Sequence, residues 1–164
     1  MGGSAYDISD DWNEFVEDTN ELWNKGYDLV NIEYADEQWV SVFADYIGSS
    51  GYSTSDSLTG FKEQISERFD DGFDLVGVEY VEDSWVGVFR QDSYRTSAYS
   101  VADTKEGFMR RFDVRTEQGY DLVDIEKAGD TWFGVYEKPD TFAAEIQEVY
   151  GQHTVNMAFL DSIF

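Results

Sequence analysis

Carboxylates recur at fixed intervals along this chain, and they are the side chains most able to do chemistry. Three sets stand at equivalent places: Asp28, Asp74 and Asp121; Glu33, Glu79 and Glu126; Glu37, Asp83 and Asp130. Carboxylates act as general acids and bases, and several together bind calcium through their oxygens. Because the 164 residues include 35 acids, however, no single pair of acids indicates catalysis.

Calcium binding is one alternative that these acids leave open. The chain has no D-x-[DN]-x-[DN]-G loop with a glutamate at its twelfth position, which is the pattern of an EF-hand. Three equivalent carboxylates converge only if the repeated segments pack around a common axis. A calcium-binding structural protein is therefore kept as an alternative hypothesis.

Other catalytic groups are scarce. His153 is the single histidine and there is no cysteine, which excludes a histidine metal cluster, a thiolate nucleophile and a sulfur-bound zinc site. The chain contains none of the motifs G-x-S-x-G, S-x-x-K, G-x-x-x-x-G-K-[ST] and G-x-G-x-x-G. We therefore predict a protein that is not an enzyme and that uses no cofactor and no metal.

The charge balance limits the partners. The chain has 35 acids and 11 bases, which give a net charge of −24. Direct binding to nucleic acid is disfavoured, because it needs clustered lysine and arginine. Aromatic residues make up 17% of the chain, which is too apolar for a disordered protein. An acidic surface serves solubility, adaptation to high salt, attraction of cations or a basic partner, or imitation of nucleic acid.

The acids lie in a sequence repeat that occurs three times. The pentapeptide "GYDLV" starts at Gly26, returns as "GFDLV" at Gly72 and returns again at Gly119, with a period of 46 and then 47 residues. The copies extend to aromatic residues at matching places: Tyr6, Tyr52 and Tyr99; Phe15, Phe61 and Phe108; Trp39, Trp85 and Trp132. A period of this length is typical of a repeat architecture.

Each repeat predicts a strand, a helix and two further strands. Phe15, Thr19 and Trp23 follow one another in steps of four, which places them on one stripe of a helix. An aspartate just before or within the first helical turn, at Asp10, Asp56 and Asp103, can cap free amides. The glycine of the pentapeptide suits the left-handed position that ends a helix.

A hairpin follows each helix. We expect a four-residue loop from Ala35 to Gln38 in the first copy, with Tyr34 opposite Trp39. The same register places Ile32 opposite Ser41 and Val30 opposite Phe43. Branched aliphatic residues opposite small ones predict packing against a neighbouring layer.

The predicted fold class is α+β: three tandem strand-helix-strand-strand repeats of about 46 residues that form antiparallel sheet packed with helices. We assign residues 1–5 to a tag or disordered start, 6–51, 52–98 and 99–139 to the repeats, and 140–164 to a C-terminal capping helix and strand. Together they form a single compact array.

The repeat resembles a known family. The segment "GYSTSDSLTGFKEQISERFDDGFDLVGVEYVEDSWVGVF", with Tyr52, Phe61, Gly72, Tyr80 and Trp85, is similar to the tandem repeats that follow the kinase domain in some plant, algal and cyanobacterial protein kinases. The resemblance covers most of residues 6–138, although no kinase domain is present. It implies a non-catalytic accessory or interaction module and transfers no catalytic residue.

These observations favour a cytoplasmic, non-catalytic protein that binds a basic protein partner through its acidic surface, without direct binding to nucleic acid or membrane. The alternative to this function is imitation of nucleic acid by an inhibitor of a DNA- or RNA-binding defence enzyme. The candidate binding residues lie on acidic helix faces and loops: Asp10, Asp11, Glu14, Glu17, Asp18, Glu37, Asp70, Asp71, Glu82, Asp83 and Asp130. Whether the repeats close on an axis or stack linearly stays open.

Overall fold

The computed structural model describes residues 3–45, 48–91 and 95–140, which are named units 1, 2 and 3 below. Each unit has a strand, a helix and a two-stranded hairpin. The elements are β1 Ser4–Ser9, α1 Trp12–Asn24, β2 Tyr27–Ala35, β3 Gln38–Asp45, β4 Ser49–Ser55, α2 Leu58–Asp70, β5 Asp74–Val81, β6 Ser84–Gln91, β7 Arg95–Ala102, α3 Lys105–Glu117, β8 Asp121–Ala128 and β9 Thr131–Pro139. The C-terminal helix and strand expected in residues 140–164 fall almost entirely outside the described residues.

Each unit forms its own three-stranded antiparallel sheet. The strand orders are β1-β3-β2, β4-β6-β5 and β7-β9-β8, so the last strand of every unit lies at the centre of its sheet. The α+β class and the repeated strand-helix-strand-strand order are confirmed. After the first and second hairpins the chain continues into β4 and β7, and each of these strands belongs to the next sheet.

The hairpins are tighter than expected. Ala35 pairs directly with Gln38, so the connection is a two-residue turn and not a four-residue loop. The register of Tyr34 with Trp39 is confirmed, but a β-bulge after Leu29 places Leu29, not Val30, opposite Phe43. The same bulge recurs in units 2 and 3. Bulges insert one extra residue and were invisible to an alternation pattern.

The helix ends follow the expected chemistry with a shift of one residue. The N-caps are Asp11, Ser57 and Thr104, each one position after the aspartate that was expected to cap. Their side chains accept hydrogen bonds from backbone amides of the first turn. At the other end, Gly26 has a φ of 87°, as a left-handed helix terminus requires.

No unit can bury its core alone. Each sheet carries its helix on one surface, called the helix face, and the opposite surface is called the back face. The helix face of unit 1, with Phe15, Ile32 and Phe43, joins one cluster with Val86 and Val88 from the back face of unit 2. The helix face of unit 2 is covered in the same way by the back face of unit 3. The units therefore stack linearly.

Small residues in the central strands receive the helix aromatics. A Cβ atom added at Gly87 would lie 2.8 Å from the ring of Phe61, and one added at Gly134 would lie 2.8 Å from the ring of Phe108. The equivalent of these glycines in unit 1 is the buried Ser41. The layer packing predicted from small residues opposite aliphatic ones is confirmed, and the helix is the layer that packs there.

The aspartate of the repeated pentapeptide joins neighbouring units. Asp74 accepts a 2.7 Å hydrogen bond from the backbone amide of Ser97, whose hydroxyl in turn accepts one from the amide of Leu75 at 2.8 Å. The equivalent residues join units 1 and 2. The hydroxyl of Ser50 donates to Asp28 at 3.2 Å and accepts a hydrogen bond from the backbone amide of Leu29 at 2.8 Å. These bonds connect the start of each of the first two hairpins to the first strand of the following unit and satisfy backbone amides there.

The third aspartate provides a matched test of this bond. We expect Asp74→Ala to lower the free energy of unfolding by about 1–3 kcal/mol, because it leaves the amide of Ser97 unbonded in a buried place. Asp121→Ala should change it by less than about 0.5 kcal/mol, because Asp121 is exposed. Urea denaturation of both variants measures the difference, and equal losses would refute a role in joining units.

Within the described residues, no helix is long and apolar enough to cross a membrane. The three helices have 13 residues each, whereas a span needs about 20.

Candidate functional site

The hairpins of the three units lie side by side. Strands β2, β5 and β8 contact one another in that order, and the backbone amide of Tyr34 donates a hydrogen bond to Glu79 of the next unit. Glu79 also interacts electrostatically with Glu33 on one side and with Glu126 on the other. These three equivalent glutamates form a row across the stack, which we call the glutamate ladder.

The middle glutamate holds its proton unusually tightly. Burial, helped by the negative charges of Glu33, Glu126 and Asp124, raises the pKa of Glu79 to about 8 from its ordinary 4.5. The hydrogen bond from Tyr34 opposes this rise. Burial also raises the pKa of Glu126 and of Asp124. The ladder is thus a place where the fold suppresses negative charge.

Beside the ladder, a glycine in the middle unit makes room for polar side chains of the two outer units. Asn31, Gly77 and Asp124 are equivalent, and a Cβ atom at Gly77 would lie 3.0 Å from Asn31 Oδ1 and 3.5 Å from Asp124 Oδ2. The side chains of the outer two units therefore meet over the glycine of the middle one. Asp124 is held there by the backbone amides of Val78 at 2.7 Å and Ile125 at 2.8 Å.

The three hairpin turns lie beyond the ladder at the same end of the stack. Asp36 and Glu37 have φ angles of 52° and 63°, and Glu82 and Asp83 have 49° and 63°. Left-handed backbone costs a residue such as glutamate about 1–2 kcal/mol, whereas aspartate adopts it more readily. Only the third turn has a glycine, Gly129, at its first position. Exposed acids thus occupy positions where Asn-Gly would fold better.

The start of α1 lies against the first of these turns. Gln38, the residue after the turn, donates a 2.6 Å hydrogen bond to Asp10. The backbone amide of Asp10 donates to Glu14 at 2.6 Å, and Asp11 caps the helix. We call this surface the acidic end, and it consists of Asp10, Asp11, Glu14, Asp36, Glu37, Glu82, Asp83 and Asp130.

The structure therefore brings together seven of the predicted binding residues: Asp10, Asp11, Glu14, Glu37, Glu82, Asp83 and Asp130. It separates the rest. Asp70 and Asp71 lie at the opposite end of α2. Glu17 and Asp18 lie along α1, and Asp18 accepts a 3.3 Å bond from Ser9, with its pKa raised by burial and by Asp7.

The structure also answers whether equivalent carboxylates can converge. Glu33, Glu79 and Glu126 approach one another through linear stacking, without a common axis. Among the residues described, however, no three acid or histidine side chains lie close enough to hold a metal ion. The sequence identified these glutamates as a repeated set, whereas the partial burial of Glu79 and Glu126 and the exposure of Glu33 depend on contacts between units.

A second feature was missed: the bases are segregated. Unit 1 has twelve acids and one base, whereas unit 3 has ten acids and seven bases. Arg110, Arg111 and Arg115 line a groove of about 680 Å³ between β7 and α3. Arg115 is held there by a 2.9 Å bond to the carbonyl of Tyr99. A count of charges by repeat would have revealed the segregation.

Comparisons of the chain with protein-family models, with curated proteins and with solved structures give no match. The functional argument therefore depends on the geometry of these surfaces.

The ladder makes stability depend on pH. Between pH 4.5 and about 8, folded Glu79 keeps a proton that the unfolded chain releases, so the free energy of unfolding falls as pH rises through this window. Glu79→Gln removes the titrating group, and we expect the variant to gain stability over the wild type progressively up to pH 8. Thermal melts across this range measure the gain.

Glu63→Gln is the matched control, because Glu63 is an exposed glutamate on α2. Its melting temperature should follow that of the wild type at every pH, apart from a constant offset. An equal, pH-dependent gain in both variants would mean that overall charge, and not the ladder, sets the dependence.

The strained turns give a further test. Glu37→Gly should raise the free energy of unfolding by about 1 kcal/mol more than Glu37→Gln, because both remove one charge but only glycine relieves the left-handed backbone. Chemical denaturation of the two variants measures this difference. Equal effects would show that the turn is unstrained.

Proposed function

We propose that this protein is non-catalytic and acts by protein–protein interaction, with the acidic end as the surface that receives a basic partner. The observation that carries the proposal is the conformation of the turns. Asp36, Glu37, Glu82 and Asp83 keep exposed carboxylates in left-handed backbone, where smaller residues cost less. Strained backbone of this kind clusters at functional sites.

The arrangement of charge supports the same function. The turns project from three stacked units, so their carboxylates form one row on a rigid support instead of on a mobile loop. Such a row attracts a complementary basic surface and speeds the encounter with it. In contrast, Glu79 and Glu126 of the ladder are partly buried and burial raises the pKa of both, so they contribute less negative charge to this surface.

Two further features agree with the proposal. The resemblance to the repeats that follow a kinase domain implies an accessory module without catalytic residues. The complete lack of cysteine supports a reducing compartment, and we propose the cytoplasm.

The test compares two variants that each lose four charges. The acidic-end variant carries Glu37→Gln, Glu82→Gln, Asp83→Asn and Asp130→Asn. The control carries Glu63→Gln, Glu67→Gln, Asp113→Asn and Glu117→Gln, all at exposed helix positions. Fluorescence anisotropy measures binding to a labelled lysine-rich peptide at physiological ionic strength. We expect the acidic-end variant to bind about tenfold more weakly than the control, since each surface charge pair contributes about 0.2–1 kcal/mol.

Equal weakening in both variants would overturn the proposal, because binding would then follow net charge alone. A folded DNA-binding domain serves as a second probe. If that domain binds, duplex DNA competes with it and the peptide does not bind, the protein imitates nucleic acid instead.

A further inference from the structure

The first unit leaves an apolar back face uncovered. Tyr6 is 73% exposed, Ile8 51% and Val42 40%, and Val40 lies beside them on the same side of the sheet. We call these four residues the head face. The outer face of a terminal repeat is ordinarily polar, because no neighbour covers it. This face is instead apolar along β1 and β3, with Asn31 and Glu33 of β2 on the same side.

The head face has the composition of an internal interface. Its four residues are equivalent to Tyr52, Thr54, Val86 and Val88 in unit 2, and to Tyr99, Val101, Phe133 and Val135 in unit 3. In unit 2, the ring of Tyr52 lies 5.4 Å from Trp12 and 5.6 Å from Phe15 of the preceding unit. In unit 3, Phe133 lies 5.7 Å from Phe61 of unit 2. Each back face thus receives the helix face of the unit before it.

The surface that these back faces receive also occurs on unit 3, where no other part of the chain that the structure describes covers it. Ile125 is 44% exposed, whereas its equivalents Ile32 and Val78 are almost fully buried under the next unit. Phe112 and Met109 of α3 are exposed beside it. We call Met109, Phe112 and Ile125 the tail face.

Charge favours contact between unlike ends. Unit 1 has twelve acids and one base, whereas α3 of unit 3 has four bases and three acids. Contact between a head and a tail therefore brings the least acidic helix of one copy to the most acidic unit of another. Contact between two head faces would instead bring together two units with twelve acids each.

From these observations we propose that copies of this chain associate head to tail, with the head face of one copy packed on the tail face of the next. The contact repeats the geometry of the two interfaces inside the chain. It is heterologous, so every assembly keeps one free head and one free tail and remains open to further growth. This inference is independent of the proposed binding of a basic partner, which uses the acidic end.

The test uses two charge-balanced variants of the full chain. The head variant carries Ile8→Glu and Val42→Lys, and the tail variant carries Met109→Lys and Ile125→Glu, all at exposed positions. The control carries Val114→Lys and Val123→Glu, which are equally exposed but lie on neither face. Sedimentation velocity over a range of concentrations measures the mass, and circular dichroism verifies that each variant is folded.

We expect the mass of the wild type and of the control to rise with concentration, and each face variant to stay monomeric. An equimolar mixture of the head and tail variants should form a dimer, because together they retain one intact head and one intact tail. This complementation distinguishes head-to-tail contact from any symmetric one.

Three outcomes would overturn the proposal. A tail variant that still dimerises alone would mean that two head faces pair with each other. A mixture that stays monomeric would show that the two faces do not bind one another. A wild type that stays monomeric at every concentration would mean that something else, such as residues 141–164, covers an end face.

Discussion

Burial of each helix face under the next sheet is the interaction on which the rest of this structure depends. A unit of this size, with one three-stranded sheet and one helix, buries too small a fraction of its surface to be more than marginally stable by itself. The second layer comes from the neighbouring unit, where one fully buried Val, Leu, Ile or Phe side chain contributes about 1.5–3 kcal/mol. Tyr52 and Phe133 are therefore as much a part of the preceding unit as of their own.

Stacking of identical units has an electrostatic consequence. A charged residue near the interface therefore lies close to the equivalent charged residue of the next unit. Glu79 is consequently flanked by Glu33 and Glu126, and the fold tolerates this by keeping the middle carboxyl protonated. Glycine at position 77 further relieves crowding between Asn31 and Asp124. The stack thus contains two kinds of acid. Between the strands the negative charge is suppressed, and at the turns the carboxylates are exposed.

In units 2 and 3, an arginine of the helix bonds to the open edge of the sheet. Arg68 donates to the carbonyl of Tyr52 at 3.1 Å, and Arg115 repeats this bond to Tyr99 at 2.9 Å. Because a charged side chain already bonds one carbonyl on each of these edges, β4 and β7 are poorer templates for strand addition. The uncovered end faces, not the sheet edges, are then the surfaces most suited to association. Growth at an end face preserves the stack, whereas pairing at an edge would extend a single sheet.

The amino-acid sequence by itself determined the repeat, the order of elements in each unit, the tight turn after each helix and the strand register near Trp39, because these follow from local spacing and backbone preference. It did not reveal the bulge after Leu29 or the two-residue turns, since left-handed acids contradict local preference. Only the tertiary structure decided which acids converge, which face of each unit is covered and that Asp28 and Asp74 join units. Those properties arise from contacts between residues more than twenty positions apart. A pattern within one repeat does not show which residues of the next repeat lie close to it.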